Sequence, residues 1–512
     1  MQSVLPLFRF SFLAIVATAV ALRALGQPLD HDEHQFVASA ALIARDGLVP
    51  YRDFAYFHLP YQSYLFAIPF QWSEYLLATA RLVCAAAAFS MVAIVWRRVR
   101  TEFEELPEIA STALAVLFAL VLVTNPLFLY SAGRAWNHDI ATLLGLLAAI
   151  AAATPPGEKN RYRAAVTAGL FAGLAVGFRS TFATLVPALA FAIWWLRDRS
   201  EDGFSVRSTT AFAAGVFVAL SPVLVLLGAD PAAFFYGNAT YNLTLDPVYR
   251  KDAGFDVAMT FAQKFSYFTG DVLDHPRPAA LLFAYAVSAF CAVYDRRADS
   301  SKALPLTIAF CLPALFVAAW LPTPTWYQYY YALQVFLVVG VVVNTASAVS
   351  VRRAVAFAAA MPLLFGAVTG ARYHWPIADL GPSAGWTAIR AHATGRAVAA
   401  SAGAGADDLI LTLAPIFALE GGAGIYPQLA TGPFQWRTAY LVSETDRRRF
   451  GVLGPADLDG LDDGRRPAAV MTGAEANEGE DLERPLLDFA AAAGWVADDI
   501  DDRFRLWRPK SE

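Results

Sequence analysis

Charge is what this chain has least of. Only 16% of its 512 residues are Asp, Glu, Lys or Arg, whereas a soluble protein carries about a quarter. That scarcity excludes an ordinary solvated domain, and 57% hydrophobic content with a mean hydropathy of +0.44 says the same. Cysteine is scarcer still. Cys84, Cys291 and Cys311 all fall inside apolar runs, which excludes a disulfide framework or a zinc-ligand spacing and reads as small buried hydrophobes. The formal net charge of -5 is spread along the chain, so no nucleic-acid footprint exists. Internal repeats and low-complexity tracts are missing too.

The apolar residues come instead in runs of about twenty, the length that crosses a hydrocarbon core as helix. About eleven spans are read, near residues 7–26, 74–96, 109–130, 137–153, 162–178, 182–196, 209–228, 279–294, 303–320, 326–347 and 353–371. The fold class is an all-α polytopic membrane protein. The first run follows Arg9 as a signal peptide would, but the many later spans make it an uncleaved first helix.

Basic residues set the expected orientation. Arg97, Arg98 and Arg100 follow the second span; Lys159, Arg161 and Arg163 follow the fourth; Arg197 and Arg199 follow the sixth. Arg296, Arg297 and Lys302 follow the eighth, and Arg352 and Arg353 the tenth. Every cluster falls after an even-numbered span, as the positive-inside rule requires of a cytoplasmic N-terminus. The loops Asp30–Pro60, Tyr130–Asp139, Ala229–Pro278 and Leu321–Trp326, and the turn at Arg179, then share the outer side.

Beyond residue 371 no membrane-length run remains. Residues 408–413 and 468–472 read as short buried strands, Leu482–Gly494 as an amphipathic helix and Phe504–Trp507 as a further strand. The expected division is a transmembrane catalytic domain at 1–371 and a small outer-face α/β domain at 372–512.

The first outer loop holds the densest chemistry. Residues 29–36 read LDHDEHQF, and 47–61 read GLVPYRDFAYFHLPY, between two apolar spans. Carboxylates at a membrane face are costly and usually functional. Three more polar segments lie on the same expected side: GRAWNHD at 133–139, GLAVGFRSTFATLVP at 173–187 and WYQYYYALQ at 326–334. In this order the four segments, over roughly residues 1–350, resemble the GT-C superfamily of polytopic glycosyltransferases. Its members include protein O-mannosyltransferases and the lipid A aminoarabinose transferase.

The resemblance implies transfer of a sugar from a polyprenyl-phosphate donor to an acceptor glycan, lipid or protein. Such a reaction needs a general base for the acceptor hydroxyl and a cation for the departing phosphate. Asp32 matches the first residue of the family's acidic pair and is expected to be the base; Glu33 then orients the acceptor or shares a metal. Asp139 is the family's second-loop acid. Helix capping by Asp30 or Asp32 is the competing reading, and Asn137 competes as a cap beside Asp139. Arg179 breaks the positive-inside pattern and suits a lipid-linked phosphate. Arg134 reaches the same phosphate or snorkels to headgroups. His58 is a candidate acceptor or phosphate contact, and Tyr330 the expected donor contact within an aromatic belt. His31 and His34 are candidate ligands for a divalent metal, whose requirement the resemblance leaves open. Lys251 and Lys264 are either phosphate-side cations or solvated charge.

A transporter or flippase is the alternative, as is a catalytically inactive relative. Transporters place their sites near the midplane, whereas these polar residues gather at one face. An Ala- and Arg-rich composition points to a bacterial inner membrane, with the site facing the periplasm.

Overall fold

The computed structural model describes residues 5–154, 161–197, 204–255, 258–294, 303–348, 383–463, 466–475 and 481–510. The chain opens with α1 (Leu5–Gly26), then two short helices outside the spans, α2 (His31–Asp46) and α3 (Tyr61–Phe70). Next come α4 (Leu76–Glu102), α5 (Glu108–Val123), α6 (Pro126–Ser131), α7 (His138–Ala152), α8 (Arg161–Phe178), α9 (Leu185–Arg197) and α10 (Phe204–Ala229). A connector follows: α11 (Pro231–Phe235), a π-helical stretch Tyr236–Leu245, α12 (Asp246–Asp252) and α13 (Phe261–Tyr267). Three further membrane-type helices are α14 (Pro276–Tyr294), α15 (Ala303–Trp320) and α16 (Tyr331–Ser347).

Among the described residues six helices are long and apolar enough to span a bilayer, and four shorter apolar helices accompany them. Together they occupy every span read from the sequence that falls among the described residues. The last one, 353–371, lies outside them, as do the basic residues Lys159, Arg199, Arg296, Arg297, Lys302, Arg352 and Arg353. One span differs from expectation. Residues 109–130 form two helices, because Pro126 cannot extend α5 and Asn125 caps α6 by accepting the Leu127 N–H at 2.9 Å.

The centre of the bundle is α16, whose residues 331–345 are all buried. Between α8 and α10 the backbones touch. A Cβ on Gly169 would lie 2.0 Å from the Phe212 carbonyl oxygen, and one on Gly215 2.3 Å from that of Val166. Small residues give membrane helices this close approach.

After residue 382 the chain forms a small α/β unit. Strands β1 (Leu409–Leu411), β2 (Gly424–Ile425), β3 (Ala469–Thr472), β4 (Val496–Asp499) and β5 (Arg505–Arg508) make one sheet in the order β2-β1-β3-β5-β4. The pairs β1–β2 and β1–β3 are parallel; β3–β5 and β4–β5 are antiparallel. Both expected buried strands are present, as β1 and β3, and the expected helix is Arg484–Ala492.

This unit is fastened to the helices around α2. Arg45 donates to the Leu419 carbonyl at 2.8 Å. The Glu420 carboxylate accepts the Leu77 N–H at 2.7 Å at the start of α4, and His392 lies 2.8 Å from its other oxygen.

The π-helical stretch meets the segment 47–61 at Gly237. A Cβ there would sit 1.9 Å from the Tyr56 carbonyl oxygen, so Gly237→Ala must push two backbones apart. The expected cost is about 1–3 kcal/mol, seen as a lower thermal unfolding midpoint of the solubilised protein. Gly228→Ala, which meets nothing within 4 Å, is the control that keeps the wild-type midpoint.

Candidate active site

The start of α2 decides what each acidic residue does. Asp30 has an extended backbone and caps the helix, its Oδ1 accepting the Asp32 N–H at 3.0 Å. Glu33 reaches back to accept the Asp30 N–H at 3.0 Å, closing a capping box. The competition for the cap is thereby resolved in favour of Asp30, whose carboxylate also lies 3.6 Å from Arg134. Asp32 is left without a capping task, on the face of α2 that turns to open space.

Glu33 is placed differently from the expectation. Its carboxylate takes two hydrogen bonds from Arg81, at 2.8 and 2.6 Å, and one from the Ala135 N–H at 2.7 Å. Both ion-paired side chains are fully buried. Burial alone would raise the Glu33 carboxyl, but Arg81 overrides it and holds the group below its ordinary value. Glu33 does not line the cavity described below. It therefore ties α2 to α4 and to the loop at 131–137. Arg81 was missed in the sequence, although a lone Arg in the apolar run of α4 was its signal.

A cavity of about 540 Å³ opens beside Asp32. Its walls come from segments expected on one face: the start of α2, residues 57–58, the loop at 130–138, the turn at 179–181, the connector 238–255 and the loop 321–329. The C-terminal helix Pro433–Thr438 adds Phe434 and Arg437. Among the candidates, Asp32, His31, His58 and Arg179 line it. His58 stacks on Phe36 at 5.1 Å between ring centroids; burial and the nearby Arg179 lower its pKa to about 3, so it is neutral. Arg179 donates to Asn137 Oδ1 at 2.9 Å and lies 4.5 Å from the centre of the Tyr329 ring. No carboxylate pairs with it among the described residues.

Four further expectations shift. Asp139 turns away from the cavity, accepting from the Tyr331 hydroxyl and the Gly133 N–H, each at 2.8 Å; its neighbour His138 lines the wall instead. Tyr330 is fully buried behind Tyr329, which is the aromatic that faces the site. Arg134 is held by the Pro28 and Tyr130 carbonyls at 3.1 and 3.0 Å, outside the lining. His34 packs toward the C-terminal unit, its Nδ1 accepting the Ile416 N–H at 3.5 Å. Asp139 and Tyr330 miss the cavity by one residue, whereas Arg134 lies in the non-helical loop before α7 and His34 on another face of α2 than His31. A one-residue step on a helix turns a side chain by about 100°, and segment matching does not resolve that rotation.

Lys264 also serves elsewhere, donating to the Trp320 carbonyl and Thr323 Oγ1 at 2.9 Å each. Lys251 is exposed and outside the lining. In their place the structure supplies a triad that sequence reading missed: Asp246 takes Arg250 at 2.9 Å and Arg437 at 2.7 Å. The pair Asp246/Arg250 has helical i,i+4 spacing, a visible signal; nothing in the sequence couples either to Arg437.

Asp30, His31 and Asp32 bring one ligand atom each within 4.8 Å of one another. Two carboxylates and an imidazole suit a divalent cation. His34 is not in the group. Of the two candidate histidines, only His31 can join such a site from its present position.

Residues 58–227 match the family described as dolichyl-phosphate-mannose-protein mannosyltransferase. That stretch holds His58, Arg134, Asp139 and Arg179 but not Asp32. Among solved structures, ArnT from Cupriavidus metallidurans bound to undecaprenyl phosphate superposes with a TM-score of 0.62 at 13% identity, covering 98% of this chain and 97% of that one. Its apo form gives the same score and identity, with 97% of each chain covered. An oligosaccharyltransferase from Archaeoglobus fulgidus aligns over 91% of this chain and 70% of its own at a TM-score of 0.48 and 14% identity. No curated protein matches the sequence. The likeness to ArnT runs end to end and shows the fold.

Breaking the buried pair tests the positioning role. Glu33→Gln leaves Arg81 charged and uncompensated, at a cost of about 3–5 kcal/mol. The expected result is a large fall in the unfolding midpoint and in the yield of folded protein. A variant that melts like wild type yet has lost turnover would put Glu33 back among the reacting groups.

Proposed function

Taking the chain as a membrane glycosyltransferase of the GT-C type, we propose that it moves a sugar from a polyprenyl-phosphate donor to an acceptor hydroxyl. The reaction takes place at the outer face of a bacterial inner membrane. One observation carries this reading: Asp32, freed from capping, and Arg179, which has no carboxylate ion pair among the described residues, line the same cavity. A base and a phosphate-binding cation are the two groups the chemistry needs.

In the proposed step, Asp32 takes the proton of the acceptor hydroxyl as its oxygen attacks the anomeric carbon. The new carbon–oxygen bond forms as the bond from that carbon to the phosphate oxygen breaks, and the electron pair leaves with the phosphate. Arg179 faces the growing negative charge. Its guanidinium is oriented by Asn137 and by the Tyr329 ring before the donor arrives, so little reorganisation is needed during reaction. The bound undecaprenyl phosphate of ArnT supports a lipid phosphate as the leaving group. A divalent cation, if bound, is held by Asp30, His31 and Asp32 and supplies further positive charge.

Burial, with the neighbouring Asp30 carboxylate, raises the Asp32 pKa to about 6. A general base works best when its pKa lies near the working pH. The active form is the carboxylate, so the rate is low below pH 6 and rises as pH increases through about 6.

The test is release of polyprenyl phosphate from polyprenyl-phosphate sugars by the purified protein in bilayers. Asp32→Asn is expected to lose roughly 10²–10⁴-fold in turnover, with donor binding and the unfolding midpoint kept. The residual rate should no longer respond to pH near 6. Full turnover in this variant would remove Asp32 from the base position. Solute movement across vesicles without donor cleavage would support transport instead.

A further inference from the structure

The end of the cavity next to Asp32 has a composition of its own. His31 packs edge-on to Phe434 at 5.3 Å, and Phe434 lies 5.3 Å from Phe57. Phe57 stacks on Tyr241 at 4.3 Å with 24° between planes. The Arg437 guanidinium lies 4.5 Å from the Phe434 ring centre and binds Asp246, which also holds Arg250. The base is thus followed by an aromatic wall and then by the triad, with helix Pro433–Thr438 of the C-terminal unit providing both Phe434 and Arg437. Arg179, Asn137 and Tyr329 line the same cavity.

Charge counting with Asp32 in its carboxylate form and no divalent cation bound is informative here. Asp30 is matched by Arg134. Two arginines around one carboxylate leave the triad at a net of one positive charge, and Arg179 adds a second. Asp32 removes one. A sugar phosphodiester carries one negative charge, so the loaded cavity is neutral. When Asp32 takes the hydroxyl proton and the phosphate leaves with an extra negative charge, the sum stays at zero. An acceptor with a charge of its own would break that balance in a confined site, where uncompensated charge is costly.

We infer that the acceptor is an uncharged sugar, the hydroxyl of a neutral glycan unit, and that Phe434 and the Asp246–Arg250–Arg437 triad select it. This rests on the transferase reading above and adds the substrate class. The apolar face of a pyranose fits the Phe57–Tyr241–Phe434 wall, while the carboxamides of Gln35 and Asn242, which also line the cavity, offer neutral partners to its hydroxyls. The C-terminal unit is then part of the acceptor site, because without it neither the wall nor the charge balance is complete.

The test reads binding, not turnover. The full-length protein in bilayers containing undecaprenyl methyl phosphate, a phosphodiester with the donor's single negative charge and no sugar to transfer, is titrated with methyl β-glucopyranoside, methyl β-glucuronide and N-acetylthreonine amide, using saturation-transfer NMR. The first two probes differ only by a carboxylate. Wild type is expected to bind the glucoside about tenfold or more tightly than the glucuronide, and to bind the threonine probe least. Asp246→Asn adds one positive charge and should narrow the gap between the two sugars. Phe434→Ala should weaken the glucoside while undecaprenyl methyl phosphate binding stays at the wild-type level. Equal or tighter binding of the glucuronide by wild type, preference for the threonine probe, or no binding of any probe would overturn the inference. Absence of donor cleavage falls on the transferase reading instead, because these affinities do not depend on it.

Discussion

The buried ion pair between Glu33 and Arg81 is the constraint on which the rest of this structure depends. Arg81 spends its remaining donors on the Ala24, Gln27 and Pro28 carbonyls, at 2.9, 2.7 and 3.1 Å. One guanidinium therefore gathers the end of α1, the chain leading into α2 and the N-terminus of α2. Through Glu33 it also fixes the loop at 131–137, which carries Asn137 and His138 to the cavity. A charge pair this deep does not stabilise cheaply, since both partners are stripped of water. Its value lies in geometry: with α2 held in one rotation, Asp32 faces the cavity and Glu33 cannot.

The same division of labour recurs around the site. Asp139 organises the loop through Gly133 while its neighbour His138 faces inward; Asp30 caps while Asp32 faces the cavity. In each case an acidic residue is held by a backbone N–H and a neighbouring side chain, and an adjacent residue is presented to the cavity. The C-terminal unit closes the arrangement from the other side, with Arg437 reaching across to Asp246. Burial by itself would raise the Asp246 carboxyl, yet the two arginines hold it below its ordinary value. The group therefore stays ionised, and the tie between the two parts of the chain weakens only as pH falls through that depressed value.

Much of the fold was legible because membrane insertion leaves a strong mark. Twenty apolar residues in a row have few other uses, and the helices fall where those runs are. The sequence reads as one continuous span across the break between α5 and α6, although Asn125-Pro126 is its local signal. The expected segments line one cavity, but not every expected residue does. Asp32, Arg179, His58 and His31 line the cavity, whereas Asp139 and Tyr330 each sit one position from the residue that does. Rotation about a helix axis depends on tertiary packing, and no local pattern states it. Arg437 was beyond reach for another reason: it lies 191 residues from Asp246, and only the folded chain brings them together.

The central claim is that one cavity holds a lipid phosphate at the Arg179 end and an acceptor hydroxyl at the Asp32 end. A structure of the protein determined with undecaprenyl phosphate tests it most directly. The account predicts phosphate oxygens within hydrogen-bond distance of Arg179, the lipid chain leading out toward the membrane, and open space between the phosphate and Asp32. A phosphate seated against Phe434 and Arg437, with Arg179 unengaged, would contradict it.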